Sequence, residues 1–296
     1  MLLNLREYHR PQGGPDRSGL DRALALLARP AVRTVPLAGG DTLVGSADPS
    51  VQAVVDLQDL GLGAIGHDPE IPAWRIGAMA TRAALAADER LQKLAGGVLS
   101  ESARRWSGSA QRNRATVGGA IVTAAANDPL VAALLACDAA VVLYSRDGPS
   151  TLPLADFLPR RKALLAAPAL VTGILAPEPP ASSGAAMEIV ARTPADAPIV
   201  VAVAALTMRG AHFAAARLAL GGVAELPLPL PEAGEMLVGR EVTTDLIADV
   251  AARASARLSP TGDYRGSAAY RQAMARVLAE RALREAWRRA GYNGVQ

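Results

Sequence analysis

The sequence predicts a mixed fold, α/β or α+β in its first part and a sheet followed by helices in its second. Two observations lead there. Helix and strand signals alternate from Leu20 to Tyr144, as in sheets with helices packed on them. A segment rich in proline and small polar residues, Ala176 to Gly184, then precedes three apolar strand-like runs and a series of helical ones. At 296 residues the chain is long enough for a substantial core and for two or three subdomains.

The elements follow in order. Leu20–Leu27 has helical spacing, and Pro30 and Pro36 stop it from continuing. Short strands are expected at Val35–Leu37, Ala53–Leu57 and Trp74–Gly77. Thr81 is placed to cap a helix over Arg82–Ala87, because its hydroxyl can accept from an otherwise unpaired backbone N–H. Pro129–Cys137 reads as a helix and Ala139–Tyr144 as a strand. Prolines without N–H donors make 176–184 a linker or exposed loop. Strand-like runs cover Ala186–Val190, Ile199–Met208 and Ala214–Leu220, and helices are expected at Leu230–Leu237, Asp245–Leu258 and Ala268–Arg289. In the last helix Tyr270, Met274, Val277, Leu278 and Trp287 form an apolar stripe, while Arg281, Arg284, Arg288 and Arg289 read as a solvated face.

Composition removes several function classes. The net charge of +3 is nearly balanced and the arginines are spread out, which argues against a nucleic-acid surface. Cys137 is the single cysteine and reads as a buried helical thiol, so the chain has no disulfide framework and no four-thiolate metal or cluster site. His9, His67 and His212 lack metal-ligand spacing and read as surface or structural groups. No nucleophile elbow, phosphate-binding P-loop or H-E-x-x-H pair is present, and no residue has the setting of an activated base or nucleophile. Gly61-Leu62-Gly63-Ala64-Ile65-Gly66 looks like a dinucleotide loop, but Pro69 follows where that loop must open a helix. The start of the chain is charged too early for a secretory signal. Pro198–Met208, the longest apolar run, is about half of the ~20 residues a membrane span needs, so a cytoplasmic chain without a span is expected.

Two glycine pairs carry the most information. Ala38-Gly39-Gly40 and Thr116-Val117-Gly118-Gly119 each follow an extended stretch and precede a change of chain direction. Without a Cβ the backbone can approach a ligand closely, and successive exposed N–H groups form an anion-binding concavity. Two such loops suit the two phosphates of a dinucleotide. The competing reading is two tight turns, and either pair taken alone supports that reading better.

In their order and spacing, these segments resemble one family, the FAD-binding medium subunits of molybdenum hydroxylases. The carbon-monoxide dehydrogenase medium-chain type is nearest, and xanthine dehydrogenase has an equivalent domain. The likeness runs through Tyr8-His9-Arg10-Pro11, Pro36–Leu43, Val55–Leu57, Trp74–Ala78, Arg112–Gly119, Ala132–Ala139, Ala219–Ala224 and Arg265–Arg271. It implies an α+β protein: a two-subdomain FAD-binding fold of the vanillyl-alcohol-oxidase/PCMH type plus a C-terminal α+β domain. The FAD-binding domain would span 1–177, split near 60, and the C-terminal domain 184–290. It also implies an electron-transfer role for FAD, beside a large molybdenum-cofactor subunit and a small 2Fe-2S subunit in a dimer of heterotrimers.

Carried over by position, Ala38, Gly39, Gly40, Asp41, Thr42 and Leu43 would cradle the pyrophosphate on one side. Thr116, Val117, Gly118 and Gly119 would do so on the other, with the Thr116 hydroxyl as an added donor. Thr123 and Asp128 match polar cofactor-side positions, although Asp128 falls one position early. Leu165 matches a leucine beside the flavin ring; without the resemblance it reads as an ordinary core leucine. The chain departs from the pattern at Ala120, in place of Asn or Ser, at Ala125-Ala126, in place of Ser-Pro or Asp-Pro, at Pro129, in place of an acidic residue, and at Glu188, where relatives often carry lysine. Each lost polar contact is worth about 0.5–1.5 kcal/mol. Two readings therefore stand: an FAD-binding electron-transfer subunit, and a degenerate structural or assembly subunit without flavin. A self-contained flavin oxidase fits poorly.

Overall fold

The computed structural model describes residues 4–13, 17–193 and 196–292; the first three residues of the amino-terminal stretch lie outside them. The chain divides into two units, and neither is continuous in sequence. The first takes residues up to Ala84 with Ser109–Thr123 and Ala139–Ala176, and the second takes Leu85–Gly108, Ala124–Asp138 and the chain from Pro177 onward. Segments 85–108 and 124–138, expected within an N-terminal domain, thus belong to the second unit. The helix Pro129–Ala136 shows why: all eight of its residues are buried, and a helix apolar on every side needs cover all round. It finds that cover against the strands Val200–Arg209 and His212–Gly221.

In the first unit, Glu7–His9, Ala53–Asp56 and Thr34–Leu37 form a three-stranded parallel sheet with Ala53–Asp56 in the centre. All four residues of that central strand are buried, as expected for a parallel strand covered on both faces. The helix Ser18–Leu27 contributes Ala23 and Leu24 to a core with Val55, Leu57 and Leu60. Asp56 accepts from the Tyr8 hydroxyl and from the Gln58 N–H at 2.9 Å, closing the turn that leaves the sheet. A five-stranded sheet runs in the order Ile65–His67, Ala73–Gly77, Ala169–Pro177, Ala140–Ser145, Gly148–Pro153. Its Tyr144 hydroxyl donates to Asp21 at 2.8 Å, tying it to the first helix. The Gly61–Gly66 stretch opens a strand here, and Thr81 caps its helix through the Ala84 N–H at 3.1 Å.

In the second unit, an antiparallel sheet has the order Leu228–Pro229, His212–Gly221, Val200–Arg209, Ser183–Val190. Strands take both ends of the expected linker, leaving 178–182 as the connection. Helices Pro231–Leu237, Thr244–Ala256 and Ala268–Tyr292 share a core with this sheet. The buried stripe of the last helix is Ala275, Leu278, Ala279, Ala282, Leu283, Ala286 and Ala290. Of the expected stripe only Leu278 belongs to it; Met274 and Trp287 pack at its edge and Tyr270 is exposed. The reason is proximity: a Cβ on Gly184 would lie 2.3 Å from the Ala286 carbonyl oxygen and from the Ala290 nitrogen, so larger side chains do not fit between. Among the described residues, no helix is long and apolar enough to cross a membrane.

The arginine run of that helix is only partly a solvated face. Arg288 pairs with Glu285 at 2.7 Å on the exposed side, but Arg289 turns inward. Its Nη1 donates to the Ala185 and Gly96 carbonyls at 2.9 and 3.1 Å, and its Nε donates to Glu285 at 2.9 Å. Hydrogen bonds from Arg288 and Arg289 hold the Glu285 carboxyl at about 2, below its ordinary 4.5. A depressed carboxylate stabilises the fold fully above its unfolded value and loses that contribution as the pH falls through its folded value. Glu285→Gln should therefore lower the melting temperature at neutral pH, with the gap to the parent chain closing between pH 4.5 and about 2. Thermal melts across that range test it; a gap that stays constant would assign the loss to something other than the ion pairs.

Candidate functional site

The first glycine pair sits at the carboxyl end of the strand Thr34–Leu37 and opens the short helix Asp41–Ser46. In parallel sheets this is the end where ligands collect. Gly40 takes φ +71°, which a side chain would resist. No side chain caps the helix, so the first-turn N–H groups of Asp41, Thr42 and Leu43 have no partner within it. Gly39 serves a different purpose. A Cβ there would stand 1.7 Å from the Arg114 carbonyl oxygen, so the missing side chain is what lets the first loop lie against the second.

The second pair lies inside the helix Val117–Thr123, not in a turn between strands. Its N–H groups are already engaged: Val117 donates to Ala80 at 2.9 Å, Gly118 to Ala78 at 2.8 Å and Gly119 to the Thr116 hydroxyl oxygen at 3.1 Å. The N–H groups of the second pair are therefore engaged and not exposed, while Thr116 accepts at the start of the helix with its own O–H still able to donate. Gly118 is needed for packing, since a Cβ would meet that of Ala78 at 2.8 Å. Gly119 differs again, because a Cβ there would meet only the Thr116 hydroxyl, at 3.0 Å. Beyond it is open space.

That space is a cavity of about 470 Å³ within the first unit, lined mostly by small and apolar residues. Ala38, Gly118, Gly119 and Leu165 line it, joined by Arg33, Ala78, Met79, Val122 and the stretch Ala166–Val171. Leu165 ends the helix Leu154–Leu164 half-buried, facing the cavity and not the core. Gly39, Gly40, Asp41, Thr42 and Leu43 form the adjoining loop and turn, and Thr116 and Val117 are buried. Thr123 is exposed at the end of its helix. Asp128 belongs to the second unit, where it is buried and caps the apolar helix by accepting from the Leu130 N–H at 3.0 Å. Glu188, also in the second unit, is pushed upward by burial on a strand whose surroundings include Arg281, Glu101, Glu285 and Arg289. Cys137 ends the buried helix, and burial pushes its thiol up to about 12, which makes it inert as a nucleophile. No cluster of metal-ligating side chains occurs among the described residues.

Arg114 escaped the reading of the sequence. Its Nη2 lies 3.5 Å from the point where a Gly40 Cβ would be, and it forms no ion pair among the described residues. A cation thus stands beside the first glycine loop. Nothing in the run Arg112-Asn113-Arg114 distinguishes this arginine from its neighbour; only the contact through Gly39 does.

The first unit thus holds a glycine-opened cavity beside the carboxyl end of a parallel strand. Residues 16–179 match the family described as FAD binding domain in molybdopterin dehydrogenase, and residues 185–286 match CO dehydrogenase flavoprotein C-terminal domain. The chain belongs to this family of FAD-binding flavoprotein components of molybdopterin-dependent dehydrogenases. It is 31% identical to the carbon monoxide dehydrogenase medium chain of Afipia carboxidovorans, over 98% of this chain and 99% of that one. It is 31% identical to the 6-hydroxypseudooxynicotine dehydrogenase complex subunit alpha of Paenarthrobacter nicotinovorans, over 92% and 93%. Among solved structures, CO dehydrogenase from Oligotropha carboxidovorans superposes with a TM-score of 0.87 at 29% identity, covering 98% of this chain and 100% of that chain. Quinoline 2-oxidoreductase from Pseudomonas putida 86 gives 0.83 at 25%, covering 96% and 97%.

The residues fit FAD. The volume lies in the range of cofactor pockets, and Gly119 leaves room that a side chain would fill. Because Gly39 packs on backbone, Gly39→Ala should force the two loops apart and cost about 1–3 kcal/mol of stability, the usual range for overpacking. Denaturant unfolding measures this, and an unchanged midpoint would mean that the loops are not held in this contact.

Proposed function

We propose that this chain is the electron-transfer flavoprotein of a heteromeric molybdenum hydroxylase. The observation that carries the proposal is the cavity opened by Gly119 beside the uncapped first loop. FAD bound there would supply the redox chemistry, accepting electrons from iron–sulfur clusters of a partner and releasing them to an external acceptor. The chain's own residues position that group. Ala38 and Gly119 allow backbone-close approach, Leu165 offers an apolar surface, and the Asp41–Leu43 N–H groups with Arg114 offset negative charge. With one cysteine, this chain cannot hold a thiolate cluster itself, so the clusters belong to a small 2Fe-2S subunit and the molybdenum cofactor to a large subunit. A dimer of such heterotrimers in the cytoplasm completes the proposal.

The visible absorption spectrum of the purified complex is the direct test. A flavin spectrum supports the proposal. A preparation that stays colourless after FAD is added would instead make the chain a structural subunit, a reading that the engaged N–H groups of Val117–Gly119 and the alanines at 120, 125 and 126 favour.

Two variants probe the loops. Gly119→Val should keep a normal circular dichroism spectrum and lose flavin, because its side chain enters the cavity and not a packed interface. Retention of normal flavin content would remove Gly119 from the site. Arg114→Ala should weaken FAD affinity by about tenfold to a hundredfold, as expected for losing a charge-assisted contact. The affinity of the parent chain should also fall with added salt more steeply than that of the variant; equal slopes would place Arg114 outside the site.

A further inference from the structure

The second unit holds a polar cavity of about 180 Å³ that the flavin site does not use. Asn127, the Gly222–Ala224 backbone, Thr261, Asp263, Arg265 and Arg271 line it. Arg271 is almost wholly buried and its donors are committed. Nη1 donates to the Ile199 and Gly222 carbonyls, each at 2.8 Å, Nε donates to the Gly266 carbonyl at 3.4 Å, and Nη2 pairs with Asp263 at 2.7 Å. Asp263 is committed as well. It also accepts from the backbone N–H groups of Arg265 and Gly266, at 2.9 and 3.2 Å, and these contacts hold its carboxyl below the ordinary range.

Arg265 is left over. Its Nε is fully buried and has no hydrogen-bond partner among the described residues. The nearest carboxylate oxygen, on Asp263, stands 3.9 Å away, an ion-pair distance but too far for a hydrogen bond. Buried charged donors are very seldom left without an acceptor. On its other side Arg265 lines a second cavity of about 220 Å³, with Arg192, Asp196, Ala197 and Tyr264. Its guanidinium carbon sits 5.3 Å from the exposed Tyr264 ring. The first cavity thus carries two guanidinium groups against one carboxylate, a net positive charge. A hydroxyl and an amide also line it.

We propose that this cavity binds a small oxyanion, a phosphate or carboxylate group, with the guanidinium of the half-buried Arg265 as its principal donor. Thr261 adds a hydroxyl to the wall, and Asp263 sets the limit on how much negative charge the cavity accepts. The Asn127 amide donates to the Pro198 carbonyl and so braces the wall. All of its lining residues belong to the second unit.

Titration calorimetry on the full chain saturated with FAD tests it, with inorganic phosphate in one arm, acetate in the second and chloride at matched ionic strength as the baseline. Saturable uptake of one equivalent of phosphate or acetate is expected, and the arm that saturates identifies the ligand class. Arg265→Ala should weaken binding about tenfold or more, the loss expected for a charge-assisted hydrogen bond. Arg265→Lys should weaken it similarly, since it keeps the charge but lacks the planar guanidinium donors. Thr261→Val serves as a second variant, expected to reduce affinity without touching the Arg265 packing. Heats matching the chloride baseline would overturn the proposal, as would equal affinity in the parent chain and both Arg265 variants. Neither result would bear on the flavin.

Discussion

In the first unit the decisive constraint is the close passage of one backbone over another. Gly39 lies so near the Arg114 carbonyl that no side chain can intervene, and Gly118 packs less tightly on Ala78 but still too close for a Cβ without a shift. These two contacts lock the first loop, the segment leading into the second and the turn after the strand Ala73–Gly77 into one arrangement. The cavity is the space this arrangement leaves. It owes its shape to the close packing at Gly39 and Gly118, and its opening to Gly119, whose Cβ would meet only the Thr116 hydroxyl.

The second unit is organised by commitment of charge. Arg271 and Asp263 satisfy each other and the surrounding carbonyls, and Arg289 spans the terminal helix and two other segments. Burying an arginine is expensive unless its donors are met. These two are met by backbone carbonyls, which are always present whatever the neighbouring side chains. Arg265, beside them, shows what remains when those acceptors are used up.

The sequence made most elements legible because their signals are local. The proline stops, the Thr81 cap and the apolar runs over residues 186–220 need no knowledge of distant contacts. The terminal stripe was harder to read, because alanine contributes weakly to hydrophobic periodicity yet is the residue that fits against Gly184. The site was legible by position and not by mechanism. Ala38, Gly118, Gly119 and Leu165 do line one cavity, yet the N–H groups of the second pair turn out to be bonded internally. Asp128 looked like a polar contact for a ligand, while burial and a helix end claim it. Arg114 stayed hidden because proximity through space leaves no mark on spacing along the chain.

The interleaving of the two units bears on how the chain is made. The helix Pro129–Ala136 leaves the ribosome well before the strands Val200–Arg209 and His212–Gly221 that cover it. During that interval the eight apolar residues have the preceding helix Val98–Arg104 to pack on but not the two strands. Contacts this distant in sequence form slowly, and exposed apolar segments invite misassembly while they wait. Completion of the first unit therefore does not end the vulnerable period; translation of the last strands does.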